Sequence, residues 1–409
     1  MEYALGITTA NKKLQHMHTE SLDFSLRPYR RRDFSGTISR IRPLIAPDTR
    51  AQKIDKKIQV QVATGSDVDS IFDSRWDELL HKQRIPNPVC CAAWLLASTR
   101  LQQGEPLVIV AKIGDELIAG GAFSVSTLAG IRTARWLGGS GRPSITPDIL
   151  VHPDYAEAGD MIISRLRLES HVITLGPSQS EGIAGQVLKS QLPKVFEAPA
   201  AEGWMVELPA PKLQKLKKKN LTRLKRAIKD GVSIDVAVHA DEHGIQLALE
   251  RLFILHRSRW EGRSDISRFS ANEFYKDWHR EVLANMARRG EVRIVEVTEN
   301  GKLIASVLGM IAGRGALFHT PAVYPGSVLR GAGHIAMEAW VDAAIEAGAE
   351  VMNLGRGSGE PQGPKGALGA TRYKSVFLKA GRTSLGHELY VGLIKGKHLV
   401  SYVRNSLKR

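Results

Sequence analysis

Cysteine, aromatic residues and long apolar runs are all scarce in this 409-residue chain. Only Cys90 and Cys91 are present, and because they are adjacent they provide neither a disulfide framework nor a zinc site. No apolar run approaches the roughly 18 residues that a membrane-spanning helix needs, and the first residues lack the pattern of a secretory leader. We therefore expect a cytoplasmic protein without an integral membrane segment or a metal cofactor.

Basic residues, in contrast, are abundant and clustered. The net charge is +15, and Lys212 to Lys229 carries nine Lys/Arg and no Asp/Glu. Residues 1–57 and the C-terminal segment from Arg372 are also basic. Such segments suit a polyanion, which is RNA, the phosphates of a nucleotide cofactor, or an anionic membrane surface, although solvated basic faces and tails give the same composition.

The order of predicted elements divides the chain into two similar halves. Residues 1–56 show no sustained period and are predicted to form a disordered basic extension, and 391–409 to form a basic tail. The parts between them, 57–200 and 201–390, each read as a strand, helices, a hairpin, a third strand, a helix and a further strand. We predict two mixed α/β domains, and KSVFLKAG, residues 374–381, is predicted to be the strand that closes the second half.

The local signals inside these halves are uneven in strength. Gly114-Asp115 and Asn300-Gly301 each lie between β-rich runs and predict hairpin turns. LQKLKKKNLTRLKRAIKDG predicts an amphipathic helix with a cationic outer face, which ends before Gly231.

One glycine-rich stretch carries a chemical signal. In HTPAVYPGSVLRGAGHIAMEAW a strand runs through a turn with Gly326, Gly331 and Gly333 into a helix. Unpaired amides at such a helix start favour phosphate, although tight turns also require glycine. The stretch lacks the Gly-Lys-Ser/Thr of a Walker loop and the spacing of a dinucleotide fingerprint.

These elements in this order resemble the GNAT N-acyltransferase superfamily. The turn pattern of that family is Arg/Gln, two residues, Gly, one residue, then Gly/Ala; Arg330-Gly331-Ala332-Gly333-His334-Ile335 departs from it by having Ile335 at the last place. RLKRAIKDG, LHRSRW and NLGRGSGEP…TRYK indicate a closer resemblance to the FemAB-like and CelD-like branch, in which two GNAT-like domains stand in tandem. The resemblance implies a degenerate first domain and an active second domain.

The resemblance also implies a function and a set of site residues. The expected reaction is acyl transfer from acetyl-CoA or another acyl-CoA to an amine or hydroxyl. Two alternatives remain open: a Fem-type aminoacyl-tRNA-dependent transferase that holds tRNA through 212–229, and a non-catalytic polyanion-binding module. The acceptor, a small molecule, glycan or peptide, is not specified. The implied donor-binding residues are Leu329, Arg330, Gly331, Gly333 and His334.

Chemical roles in acyl transfer are assigned by residue type and position. The candidates for proton transfer or oxyanion stabilisation are Tyr373, Glu360 and His319. The candidates for substrate binding are Arg259, Trp260, Arg356 and Lys374. Each has a structural alternative: a sheet-edge tyrosine, a solvated glutamate or lysine, a core histidine, or a cation that stabilises a helix C-terminus.

Overall fold

The computed structural model describes residues 58–101, 104–139, 146–192, 194–200, 202–260, 269, 273–356 and 363–381. The predicted N-terminal extension, 1–56, and the predicted tail, 391–409, lie outside these residues. The described residues from 58 to 381 belong to one compact unit. The described residues form two mixed sheets with helices packed on them, which confirms the predicted fold class.

The first sheet has the order β1-β2-β3-β4-β6-β15-β7, with β5 paired to β3. Its strands are β1 Gln59–Thr64, β2 Glu105–Ile113, β3 Glu116–Leu128, β4 Ile131–Trp136, β5 Leu150–Val151, β6 Val172–Gln179, β7 Val195–Pro199 and β15 Ser375–Gly381.

The second sheet has the order β14-β8-β13-β12-β11-β10-β9. Its strands are β8 Gly203–Glu207, β9 Ile234–His239, β10 Val292–Glu299, β11 Lys302–Ala312, β12 Gly315–Val323, β13 Val351–Arg356 and β14 Thr371–Tyr373.

The described α-helices occur in both halves. They are α1 Ser74–His81, α2 Ala92–Leu101, α3 Ala158–Glu169, α4 Ile183–Gln191, α5 Leu213–Lys229, α6 Glu242–Trp260, α7 Glu273–Ala287, α8 Ala332–Glu346 and α9 Pro364–Leu368. None of the helices among these residues is long and apolar enough to cross a membrane.

The two halves repeat one arrangement. In the first, the antiparallel strands β2, β3 and β4 lead through α3 to β6, which is parallel to β4. In the second, β10, β11 and β12 lead through α8 to β13, which is parallel to β12. This repeat agrees with the predicted tandem architecture.

Both predicted hairpins form at the predicted turns. Gly114 has φ +60° between β2 and β3, and Asn300 and Gly301 have φ +49° and +77° between β10 and β11. Positive φ at both central residues is the geometry that Asn-Gly favours, because its twist matches that of the flanking strands.

One predicted strand joins a different sheet. KSVFLKAG forms β15, but β15 pairs with β6 and β7 of the first sheet and does not close the second. The short β14 precedes it and pairs with β8. Strand periodicity reports which residues alternate, and it does not report which sheet receives them, so element order alone gave the wrong partner.

Helices cover both faces of the second sheet. Trp340 of α8 is fully buried, and its indole lies over Gly309 of β11, where an added Cβ would be 1.9 Å from the ring. On the opposite face, Trp278 of α7 contacts Trp94 of α2 in an edge-to-face pair with centroids 4.5 Å apart. The core on this face therefore contains residues of both halves.

Candidate active site

The turn before α8 presents three unused backbone donors. Ala332 N–H donates to the Leu329 carbonyl at 3.3 Å, and His334 N–H to the Gly331 carbonyl at 2.9 Å. The amides of Arg330, Gly331 and Gly333 have no acceptor among the described residues. Gly331 has φ +94°, which a residue with a side chain adopts only with strain. These donors at the positive end of α8 form the cradle, the name used below for the amides of 330, 331 and 333.

A carboxylate occupies the amides just before the cradle. Glu299, the last residue of β10, accepts from Leu329 N–H at 2.8 Å and Val328 N–H at 3.4 Å, and from Ser327 Oγ at 3.1 Å. The predicted donor-binding residue Leu329 is therefore buried, with its amide already paired. Glu299 fixes the bend and leaves the next amides for a ligand.

Arg223 of α5 lies directly over the cradle. A Cβ added to Gly331 would be 2.6 Å from Cζ of Arg223, so only glycine allows this approach. Arg223 donates to Asn220 Oδ1 at 2.7 Å, and Asn220 donates to Glu338 Oε2 at 2.6 Å and to the His334 carbonyl at 3.1 Å. These bonds attach a basic side chain of α5 to the first turns of α8.

The predicted residue His334 is half-buried beside this arginine. Burial lowers its pKa, and the positive charges of Arg223 and Lys219 lower the pKa further. Arg223 and Lys219 thus place positive charge near the N-terminus of α8, and the lowered pKa disfavours a further charge on His334. Arg330 is exposed at the same turn.

Strands β12 and β13 separate beside the cradle. They pair in parallel over only three positions, from Gly315–Val351 to Leu317–Asn353, although β12 continues to Val323 and β13 to Arg356. After Leu317, β12 still pairs with β11, but the backbone groups on its other edge have no partner in β13. Gly333 of α8 packs against Val323 at the end of this segment, where an added Cβ would be 2.8 Å from Cγ2. The gap thus lies between the strand that leads into the cradle and its neighbour.

Tyr373 reaches this gap by crossing a glycine. It ends β14 opposite Gly203 of β8, and its ring lies so close over Gly203 that an added Cβ would be 1.9 Å from Cζ. The phenol hydroxyl lies 3.1 Å from Asn353 Nδ2, which donates to it. Asn353 is the last β13 residue paired with β12, and its Oδ1 accepts from Gly355 N–H at 2.8 Å. The phenol is therefore held where the strands separate.

His319 lies two residues beyond the last paired position of β12. Its Nδ1 is 2.7 Å from Thr320 Oγ1, and its ring is near those of Trp94 and His279, with centroids 5.8 and 5.7 Å away. The neighbouring Phe318 contacts Trp340 of α8, so His319 faces away from α8. The structure thus places His319 on β12 at the gap and brings the Tyr373 hydroxyl to Asn353 on β13, the other strand of the gap.

The remaining predicted residues are less concentrated. Arg259 of α6 donates to the Pro321 carbonyl at 3.3 Å, on the part of β12 that does not pair with β13. Lys374 is exposed between β14 and β15. Trp260 is the last residue of α6, and Arg356 is the last residue of β13, where it pairs with Gly203 of β8. The side chains of Trp260 and Arg356, and all of Glu360, lie outside the described residues.

Sequence reasoning missed four residues of this arrangement. Glu299 could have been found from its position before the Asn-Gly turn, and Asn353 from the strand ending NLG. Arg223 and Asn220 had no local signal, because Arg223 is one of eight cations in α5 and only the packing of α5 against α8 selects it. No group of three or more His, Cys, Asp or Glu residues suited to a metal ion occurs in the described part of the chain.

Comparison with known proteins identifies the second half. Residues 215–375 match the family model described as an acetyltransferase (GNAT) domain. No curated protein sequence is a significant match. The matched segment begins in α5 and ends at the first residue of β15, so it contains the cradle, the strand gap and Tyr373.

Among the similar solved structures, FemX shares the fold at low identity. FemX has a TM-score of 0.55 at 10% identity, with 75% of this chain and 95% of FemX covered. The C-terminal domain of a putative lysylphosphatidylglycerol synthetase from Agrobacterium fabrum has a TM-score of 0.49 at 13% identity, with 79% and 95% covered. A tandem GNAT protein from the clavulanic acid pathway has a TM-score of 0.39 at 16% identity, with 80% and 99% covered.

Proposed function

We propose that this chain, which carries a GNAT-superfamily domain of the Fem-like kind, transfers an acyl group from an acyl-CoA thioester to an amine or hydroxyl acceptor. The observation that carries the proposal is the cradle, where the three amides of 330, 331 and 333 lie at the start of α8 with the Arg223 guanidinium beside Gly331. Diphosphate is the part of CoA that such a site binds, because amide donors and a cation meet several phosphate oxygens at once.

The strand gap supports the same donor. An extended pantetheine arm carries amide groups, and the β12 edge beyond Leu317 offers backbone groups that β13 does not use. A donor bound with its diphosphate on the cradle and its arm along β12 would bring the thioester toward His319 and Tyr373. The donor supplies the activated carbonyl, and the residues of this chain orient it and move protons.

The chemical step needs two proton transfers. The acceptor's lone pair attacks the thioester carbon, the C–S bond breaks, and the nucleophile loses one proton while the departing sulfur takes one. We assign the second transfer to Tyr373, whose hydroxyl is held at the gap by Asn353. His319 is the described candidate for accepting the first proton, because it lies on the part of β12 beyond its last pair with β13.

The first half does not repeat the cradle. At the corresponding start of α3, the amides of Ala158, Gly159 and Asp160 all donate to backbone carbonyls, and Glu157 and Asp160 add negative charge. A phosphate would meet repulsion and no free donor there. This difference supports a degenerate first domain and an active second domain.

The second candidate function is aminoacyl transfer from a charged tRNA. The nine cations of 212–229 favour it, because many phosphate contacts dominate the affinity of proteins for RNA. Seven of the nine are exposed, and Lys217, which pairs with Asp342 at 2.7 Å, is one of the two that are not.

Ligand-induced thermal stabilisation separates the two functions. CoA, acetyl-CoA and charged tRNA are titrated in parallel, and a ligand that binds the native state at one hundred times its Kd adds about 2.7 kcal/mol to the free energy of unfolding. We expect stabilisation by CoA and acetyl-CoA, and a loss of that response in Arg330→Glu. Stabilisation by tRNA alone would replace the acyl-CoA proposal by the second candidate.

A further inference from the structure

An exposed surface beside the cradle combines aliphatic and cationic side chains. On α5, Leu221 and Ile228 are 52% and 65% exposed, and their spacing of seven residues places them on one side of the helix. The edge strand β9 follows α5 directly, and its Val236 and Val238 are 42% and 47% exposed. These four aliphatic residues and the exposed lysines of α5 are called the α5–β9 surface below.

Helix α5 packs on one face of the second sheet, and β9 is an edge strand of that sheet. Val236 and Val238 pair with Val297 and Val295 of β10, which are buried in the core beneath α8. Leu216 of α5 belongs to that core as well. Val236 and Val238 thus continue the α8 face of the sheet outward to its free edge, and Leu221 and Ile228 are exposed on the helix that packs on this face.

The charges of this surface have one sign. Lys218, Lys225 and Lys229 are exposed on α5 near Leu221 and Ile228, and α5 contains no acidic residue. No salt bridge is formed by these three lysines within the described residues. Exposed aliphatic groups in such a setting are unfavourable in water and indicate a partner that is both apolar and anionic.

We propose that the α5–β9 surface docks onto an anionic lipid bilayer. An anionic bilayer offers both features, because lysines meet lipid phosphates while aliphatic side chains enter the boundary between headgroups and acyl chains. RNA would use the lysines and leave the four aliphatic groups in water. A second copy packed through the same surface would bring the eight cations of one α5 against those of the other.

Docking would have a consequence for the site. Arg223 of α5 covers Gly331, so the helix that touches lipid also forms one side of the cradle. A bound protein would hold its donor site close to the lipid–water interface. This proposal does not depend on the proposed function, since it concerns binding in the absence of any donor.

Vesicle co-sedimentation of the full chain tests the proposal. One set of vesicles contains phosphatidylcholine alone. The other contains phosphatidylcholine with about 30% phosphatidylglycerol, whose negative headgroup attracts basic side chains. We expect binding only to the charged vesicles, with affinity that falls as salt rises. Lys218→Gln/Lys225→Gln should weaken binding about 30-fold, since each lysine near an anionic surface contributes about 1 kcal/mol.

The aliphatic contribution is tested at constant charge. Leu221→Ser/Ile228→Ser should weaken binding to charged vesicles about tenfold, because docking would bury only the exposed half or so of each side chain, and the two together would contribute about 1.5 kcal/mol. The matched control is Leu168→Ser/Ile254→Ser, at positions 61% and 62% exposed outside this surface, and it should bind as the unchanged protein does. Thermal melts establish that each variant is folded.

Four results would overturn the proposal. Equal binding to neutral vesicles would remove the electrostatic part, and unchanged binding by Leu221→Ser/Ile228→Ser would remove the aliphatic part. A dimer in sedimentation velocity that this double variant dissociates would assign the surface to a second copy. Binding to tRNA without binding to charged vesicles would assign it to RNA.

Discussion

The role of Arg223 leads to a quantitative prediction. Replacing it by glutamine removes the guanidinium over Gly331 and leaves a shorter, uncharged polar side chain on α5. The cradle amides and the strand gap stay in place. We expect Arg223→Gln to bind CoA less tightly and to fold normally.

The size of the loss follows from the kind of bond removed. A hydrogen bond to a charged group contributes about 1.5–3 kcal/mol, and a phosphate on the cradle would receive such a bond from Arg223. The Kd for CoA should therefore rise about 10- to 150-fold. The change in Kd for pantetheine should be small, because pantetheine carries no diphosphate.

Isothermal titration of CoA into the purified full chain measures this change. The matched control is Arg226→Gln, which removes the same charge from an exposed position one turn along α5. A second comparison uses Gly331→Ala, whose Cβ would displace the Arg223 side chain. Because both changes act on one contact, Arg223→Gln/Gly331→Ala should lose less affinity than the sum of the single variants.

Two outcomes would refute this reasoning. If Arg223→Gln binds CoA as Arg226→Gln does, Arg223 is not part of the donor site. If the two single variants add fully in the double variant, their effects are independent, and the close approach at Gly331 has no role in donor binding.

Three further predictions concern catalysis, pH and reactivity. Tyr373→Phe should lower kcat about 100-fold with little change in KM, because proton transfer typically contributes about 10²- to 10⁴-fold, and an unchanged kcat in steady-state kinetics would exclude the phenol from the step. Burial raises the pKa of Asp148 to about 6, above its ordinary 3.8, so its ionisation destabilises the folded state as pH rises from about 4 to 6. Denaturant titrations give the free energies of unfolding of Asp148→Asn and of the unchanged protein. The variant's value minus that of the unchanged protein should therefore increase by about 3 kcal/mol between pH 4 and pH 7. A difference that does not depend on pH would contradict the raised pKa. Burial also raises the pKa of Cys90, to about 12, and of Cys91, so a thiol reagent should label the native protein far more slowly than the urea-unfolded protein, and equal rates would contradict their burial.

Much of the fold was predictable because its signals are local. The Asn300-Gly301 turn, the cationic α5 and the glycine turn before α8 each depend on neighbouring residues, and all three form where the sequence predicts them. Helix α4 was not predicted, because part of what fixes its start is distant: Asp148 accepts from Ile183 N–H at 2.7 Å across 35 residues.

The candidate site was predictable only in part, for a similar reason. Gly331 and Gly333 belong to a turn that can be read along the chain, but Arg223 reaches that turn through the packing of two helices. Tyr373 was predicted from its place before a strand, whereas its approach to Asn353 requires the missing side chain of Gly203, which pairing across β8 reveals.

The insertion of β15 between β6 and β7 limits how this protein can be divided. A fragment that stops at residue 200 would contain seven strands of the first sheet but lack the one that joins β7 to the others, which exposes two new edges. Adding residues 375–381 as a separate peptide should restore that fragment if the register is specific. Since Lys374 alone separates β15 from Tyr373, assembly of the first sheet also anchors the polypeptide that carries the phenol.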